Sequence, residues 1–417
     1  MSAGQASGRH RVVVVGGGAG GLAVASTLLR AQPQLDLAVI EPSDNHYYQP
    51  AWTLVGGGAY NVADTRRSEA SCMPAGAHWI KHRVASFQPE QDQVTLDDGS
   101  TVGYDFLVVA AGIQLDWNKI AGLVDTLGKN GVTSNYSFDF APYTWQCIRN
   151  LKNGGRALFT YPATPIKCAG APQKILYLAA DHLRRNGKQA DIRYCTAGGA
   201  MFGVPFYSQA LDKVMANYEA KPEFKHNLVA VDGPAHKATF EVGEDKKQIA
   251  LDFDMIHVVP PQSSPDFIKN SPLANAAGWV DVDKATLRHV NHANVFSLGD
   301  CCSAPNSKTA AAVRSQSRTV LANLQAALEG LPPTSAYDGY ASCPLTTSKG
   351  KMLLAEFIYG GTPAPSFPFD PRIPRRSYWW LKTTYFPALY WDMVKGDLGP
   401  DWHAVHEFPA AVPSFQP

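Results

Sequence analysis

A chain of 417 residues has room for two or three domains, each with its own core. Hydrophobic residues make up 45% and charged residues 18%, the balance of a globular protein rather than a disordered or fibrous one. A formal net charge of +1 leaves no basic field for nucleic acid, and no apolar run reaches the roughly 18 residues that a spanning helix needs.

In chain order, the first ten residues, "MSAGQASGRH", lack the apolar core of a secretory signal. The next segment, "RVVVVGGGAGGLAVASTLLRAQPQLDLAVIEP", reads as one β-α-β unit. A β-branched run leads into Gly16, Gly18 and Gly21 at G-x-G-x-x-G spacing, and a second strand, "LDLAVI", ends at Glu41. The glycines suit a tight turn, close approach to a pyrophosphate and close helix packing. The helix N-terminus would hold the pyrophosphate, and Glu41 is placed to accept from a ribose hydroxyl. This unit alone does not separate FAD from NAD. Two later segments favour FAD: "YDFLVVAAGIQLDW", whose strand ends in Ala110, Ala111 and Gly112, and "HANVFSLGDCCSAPNSKTAAAV", whose strand ends in Gly299 and Asp300. In the latter, Ser307 is the expected helix N-cap, and Lys308 is expected to add positive potential at the edge of a flavin.

Residues 124–272 repeat the strand–helix–strand pattern in "RALFTY", "APQKILYLAADHLRR" and "ADIRYCTA". The connecting loop, however, carries Pro162 and Pro165, Pro172 follows it, and no glycine lies between positions 160 and 167. Prolines lack the N–H groups that cradle a pyrophosphate, so NAD(P)H is not expected there. Cys168 sits just before the helix, beside Lys167, where a thiol is shifted toward thiolate. Cys343, in "YASCPLTTSKGKMLLAEF", is expected in a loop before an apolar strand and is a partner in principle. Cys301 and Cys302 read as packing residues. Cys72, Cys147 and Cys195 have no metal-ligand spacing, so no metal site is expected. Seven scattered cysteines do not form a secreted disulfide framework. Near the C-terminus, residues 371–391 combine Arg372, Arg375, Arg376 and Lys382 with seven aromatics, the composition of a membrane-surface segment too short and Pro387-broken to span. An aromatic tail packed on its own core or in a dimer interface would have the same composition.

Together "HYYQPAWTLVGGG", "GIQLDW", "TPIKCAGAPQK", "SPLANAAGWVDVD", "GDCCSAPNSKTAAAV" and "YASCPLTTSKGKMLLAEF" resemble the sulfide:quinone oxidoreductase family, in the branch that includes the mitochondrial enzyme. The resemblance runs from about Arg11 to the C-terminus. It implies an α/β fold with two Rossmann-like dinucleotide-binding domains of the disulfide-reductase flavoprotein type plus a C-terminal membrane-interacting region. The expected domains are 1–123 with 273–330 for FAD, 124–272 without an NAD phosphate loop, and 331–417. It further implies FAD held by Gly16, Gly18, Gly21, Glu41, Gln49, Ala111, Gly112, Asp300 and Lys308, and a redox pair of Cys168 and Cys343. In that reading hydrosulfide opens the cysteine bridge. The persulfide is provisionally on Cys343, and the Cys168 thiolate drives two electrons into FAD. Sulfane sulfur passes to sulfide, glutathione, sulfite or cyanide, and electrons pass to a membrane quinone of ubiquinone or menaquinone type. Residues 371–395 would meet the membrane, and a homodimer is possible. Localisation is expected at the cytoplasmic face of a bacterial inner membrane, with the mitochondrial inner membrane as the alternative. An NAD(P)H:quinone or disulfide reductase and a non-catalytic flavoprotein are the competing readings.

Overall fold

Four consecutive valines, Val12 to Val15, are buried on both sides, which requires a strand covered by layers above and below. They lie in β1 (Ala6–Val15) of a seven-stranded sheet. The computed structural model describes residues 6–416, so the reading of the first ten residues falls partly outside the described residues. β1 pairs in parallel with β2 (Leu37–Ile40) on one side and β3 (Thr101–Val109) on the other. Between β1 and β2 runs α1 (Ala19–Ala31).

A second sheet of five strands, all parallel, is centred on β4 (Arg156–Tyr161). β4 pairs with β5 (Asp191–Thr196), and α2 (Ala171–Arg185) connects them. The architecture is therefore mixed α/β with two Rossmann-like parallel sheets. A three-stranded antiparallel sheet, residues 226–252, lies beside the second.

The chain returns to the first sheet through β6 (Val295–Ser297), parallel to β3, and continues into α3 (Ala310–Leu328). The N-cap of α3 is Thr309, whose hydroxyl accepts from the Ala312 N–H at 3.1 Å, rather than Ser307. Either hydroxyl fits a capping position, and the register is decided by the docking of α3.

Cys343 lies in a strand and not in a loop. β7 (Ala341–Ser348) and β8 (Lys351–Phe357) form a two-stranded antiparallel hairpin in which Cys343 faces Ala355 and Pro344 faces Leu354. Both strands of such a ribbon are edges, so the missing N–H of Pro344 need not break a ladder.

The C-terminal aromatic segment folds as α4 (Arg376–Trp380) and α5 (Phe386–Val394), joined through a π-helical turn, Leu381–Tyr385, without leaving right-handed dihedrals. Pro387 thus does not break the helix. It withholds one N–H from the preceding turn, and the chain absorbs this by widening to a π-turn. Among the described residues no helix is long and apolar enough to cross a membrane.

Candidate active site

The glycine loop makes the tight turn and the close helix packing that its spacing suggests. Gly16 has φ +104°, and a Cβ there would lie 2.6 Å from the Ala110 carbonyl oxygen. A Cβ on Gly21 would lie 1.8 Å from the Gly16 carbonyl oxygen, so the helix is docked directly on the turn. A Cβ on Gly18 would meet nothing within 4 Å, because that residue faces open space at the uncapped N-terminus of α1. Glu41 follows β2 and accepts N–H bonds from Gly17 at 2.8 Å and Ser43 at 2.7 Å. Burial raises its pKa.

These residues open into a cavity of about 540 Å³. Its wall includes Gly16, Gly18, Glu41, Gln49, Ala111, Gly112, Asp300 and Lys308, and it continues to Cys168 and the C-terminal helix. Gly21 lies beneath, in the packing of α1. The carboxyl of Glu69 also lines the cavity, with its Oε1 buried and without a hydrogen-bond partner. An open cradle over a helix N-terminus, next to an orphaned acceptor, fits a phosphate-linked dinucleotide with free hydroxyl groups. The fit is therefore favourable, and Glu69 is a residue that sequence reasoning missed.

Two lysines sit differently from expectation. The Lys308 ammonium donates to the carbonyl oxygens of Asp300 (2.6 Å) and Cys302 (3.3 Å) and lies over the Trp279 ring, so it pins the turn after β6 rather than projecting as a free charge. Lys167, expected beside the Cys168 sulfur, donates instead to Gln49. Burial brings Lys167 down to about 8.

Cys168 adopts a left-handed φ of +53°. Its loop is fastened by its own N–H to the Lys308 carbonyl (2.7 Å) and by the Lys167 N–H to Gln262 (2.9 Å). Both N–H groups are therefore spent on the protein. The bend brings the Cys168 thiol to the Cys343 thiol, within hydrogen-bond reach, and puts the Lys174 ammonium 2.9 Å from the Cys168 sulfur. The Cys343 hydrogen bond, followed by the Lys174 charge, holds the Cys168 thiol well below its ordinary pKa against the opposing effect of burial. Cys343 is pushed up by that same hydrogen bond and by burial, so the proton the two sulfurs share favours Cys343. Cys168 is half-buried and lines the cavity, whereas Cys343 is fully buried.

Lys382 also turns inward. It is 3% exposed, lines the cavity and is brought down to about 7 by burial and then by the Lys174 charge. Arg372 is fully buried, paired with Asp370 at 2.8 Å and donating to the Pro409 carbonyl. Neither of these two is a membrane-facing head group. Cys301 and Cys302 are buried packing residues, as expected. Among the described residues the groupings of potential metal ligands lie on the surface, at His10/Asp36/His78 and His82/Asp97/Asp98, away from the cavity.

Two parallel sheets, a dinucleotide cradle and a thiol pair on the wall of one cavity define a dinucleotide-binding oxidoreductase of the disulfide-reductase type. Residues 10–138 match the family model described as pyridine nucleotide-disulphide oxidoreductase. Over 93% of its length the chain is 48% identical to the mitochondrial sulfide:quinone oxidoreductase of Dictyostelium discoideum, covering 86% of that protein. It is 42% identical to that of Mus musculus, over 93% of this chain and 87% of the relative. The solved sulfide:quinone oxidoreductase of Aquifex aeolicus shares the fold, with a TM-score of 0.76 at 18% identity over 94% of this chain and 93% of that one. The chain belongs to the sulfide:quinone oxidoreductase family. The relatives from Dictyostelium and Mus are both named as mitochondrial, so the expected bacterial cytoplasmic face has no support from them.

Proposed function

We propose that this chain oxidises sulfide at Cys168 and Cys343 and delivers two electrons to quinone through FAD bound in the 540 Å³ cavity. The observation that carries the reading is the lysine-stabilised Cys168 sulfur on the wall of the same cavity as the glycine cradle. Gly16, Gly18 and the α1 N-terminus would hold the pyrophosphate, Glu41 and Glu69 the hydroxyl groups, and Asp300 the chain leading to the flavin. Bound there, FAD supplies a two-electron acceptor between the thiols and quinone.

In the oxidised pair, hydrosulfide attacks the Cys343 sulfur. A sulfur–sulfur bond forms on Cys343, the bridge breaks, and Cys168 leaves as a thiolate. Lys174 and Lys382 face this leaving group and stabilise its charge. A small acceptor thiol or anion then removes the outer sulfur from Cys343. Closing the Cys168–Cys343 bridge again releases two electrons, which FAD held in the cavity would accept and pass to quinone. Residues 371–395 bring this site to a mitochondrial membrane surface through the exposed Trp380, Arg376 and neighbouring Phe369.

The test is anaerobic mixing of the yellow protein with sulfide and, separately, with NADH. Sulfide bleaches the flavin, Cys168→Ser and Cys343→Ser abolish that bleaching, and a soluble quinone restores the colour. Bleaching by NADH but not by sulfide would overturn the proposal.

A further inference from the structure

β8 alternates between two environments. Leu353, Ala355 and Phe357 enter the core that contains Cys343 and α2 residues, while Met352 and Leu354 pack with Tyr378 against Phe367, Leu381 and Phe386. Glu356 continues this second face, lines the cavity and is 3% exposed. A carboxyl at the end of an apolar, aromatic wall is expensive to bury, so its presence calls for a reason. Its partners are not cationic: the Tyr340 hydroxyl and the Ser366 hydroxyl each donate to Oε1 at 2.6 Å, and the Ser366 N–H donates to Oε2 at 3.0 Å.

Tyr340 leads outward. Its ring lies face to face with His403, centroids 4.0 Å apart, and His403 bonds to Asp338 (2.7 Å) and Asp401 (3.1 Å), of which Asp338 is half-exposed. The titratable groups facing Glu356 are Tyr340 from the hairpin, Tyr207 and Tyr378 from neighbouring helices and His403 from the C-terminal tail, with Arg314 beyond Tyr340. Burial raises the Glu356 pKa, which favours a carboxyl that holds a proton to give away.

Resting on the quinone reading above, we propose that Glu356 is the proton donor to quinone, which docks against the Leu354, Leu381 and Phe386 wall. Reduction of a quinone to a quinol takes two electrons and two protons. A reduced flavin held in the cavity would supply both electrons and one proton. Glu356 gives the second proton to a quinone oxygen, becomes a carboxylate held by Tyr340 and Ser366, and regains its proton from the solvent side at His403 and Asp338.

The experiment follows the two half-reactions of the holoenzyme separately by stopped flow. In Glu356→Gln, bleaching by sulfide keeps its rate, while reoxidation by a soluble quinone slows by about 100-fold, the usual effect of losing a general acid. Wild-type reoxidation falls as pH rises through the Glu356 pKa, the variant loses that limb, and Glu356→Asp recovers part of the rate. Independently of turnover, the infrared carbonyl band of a protonated carboxyl disappears in Glu356→Gln. Reoxidation at the wild-type rate, an unchanged pH limb or an unchanged infrared band would each overturn the proposal. If Glu356→Gln does not fold, Tyr340→Phe tests the same route: reoxidation slows with bleaching unchanged, and unchanged reoxidation refutes the relay. Failure of sulfide to bleach the wild type would instead refute the sulfide reading on which the proposal rests.

Discussion

Replacing Lys174 by methionine removes one charge from the thiol pair while keeping most of the side-chain volume. The ammonium lies 2.9 Å from the Cys168 sulfur, and Lys174 is 3% exposed. At an effective dielectric constant near 20, a full ion pair at that distance is worth about 6 kcal/mol before desolvation is subtracted. Much of that is offset by the burial of both groups, and an opposite charge this close typically moves a pKa by about 1–3 units. The Cys343 hydrogen bond remains, and it is the larger cause of the Cys168 shift, so the variant thiol rises without fully recovering its ordinary value. The assay is iodoacetamide alkylation of the reduced holoenzyme across a pH series, read peptide by peptide so that Cys168 is resolved from the other cysteines. The midpoint for Cys168 should rise by about 1–3 units, which slows alkylation below the midpoint by about 10- to 1000-fold. Lys174→Arg should restore most of the effect. Sulfide bleaching should slow in parallel, because the Cys168 leaving group is then less stable as a thiolate. An unchanged midpoint in Lys174→Met would show that the lysine does not hold the charge and that the hydrogen bond alone accounts for it.

Gly18→Ala should leave the melting temperature of the flavin-free protein unchanged and remove most of its flavin, read from the absorbance ratio of the purified protein, because its Cβ enters open cradle space. Gly21→Ala should lower stability by about 1–3 kcal/mol or more, measured by denaturant unfolding, because its Cβ collides with the Gly16 carbonyl. His403 is raised to about 9 by its bonds to Asp338 and Asp401. With an unfolded value near 6.5, its stabilisation is complete below about pH 6.5 and lost as pH rises through about 9, and it amounts to at most about 3 kcal/mol. Limited proteolysis of residues 397–416 should therefore accelerate near pH 10 and not near pH 7. Removing the exposed aromatics in Trp380→Ala and Phe369→Ala together should weaken sedimentation with anionic lipid vesicles by about 10- to 100-fold, with sulfide bleaching unchanged.

The first nucleotide site was legible because its information is local: three glycines, a helix start and a terminal acid lie within one β-α-β unit, and each keeps its place. Glu69 was not legible, since it reaches the cradle through the pairing of residues 45–47 with 66–68 and no spacing announces that. The residues alone single out Cys168 and leave Cys343 a partner in principle, the family resemblance implies the pair, and the neighbouring charge expected from Lys167 comes from Lys174 instead. Lys167 is adjacent in sequence, yet the left-handed backbone at Cys168 sends the loop back, and the first turn of α2 delivers Lys174 instead. In sequence Lys382 looks like a surface charge, because a basic residue among aromatics usually is one. Only the docking of the α4–π–α5 helix turns it inward, leaving Arg376, Trp380, Thr384, Ala388 and Asp392 as the outer stripe at helical spacing.

The β7–β8 hairpin keeps the buried cysteine of the proposed thiol pair and part of the cavity wall on opposite faces of one ribbon. Along β7, Ala341, Cys343 and Leu345 enter the core shared with α2, and Ser342 and Pro344, with Tyr340 just before the strand, line the cavity. Along β8 the same period of two separates Leu353 and Ala355 from Leu354 and Glu356. Sulfide chemistry needs a fixed thiol with cations close by, and a quinone needs an apolar wall with a proton source. Consecutive residues of one ribbon present these two environments on opposite faces, a separation set by strand geometry. A one-residue slip of either strand would exchange the faces, moving Cys343 out of reach of Cys168 or turning Glu356 into the core. The antiparallel register, with Cys343 facing Ala355 and Ser342 facing Glu356, is therefore as much a part of the proposed site as the side chains themselves.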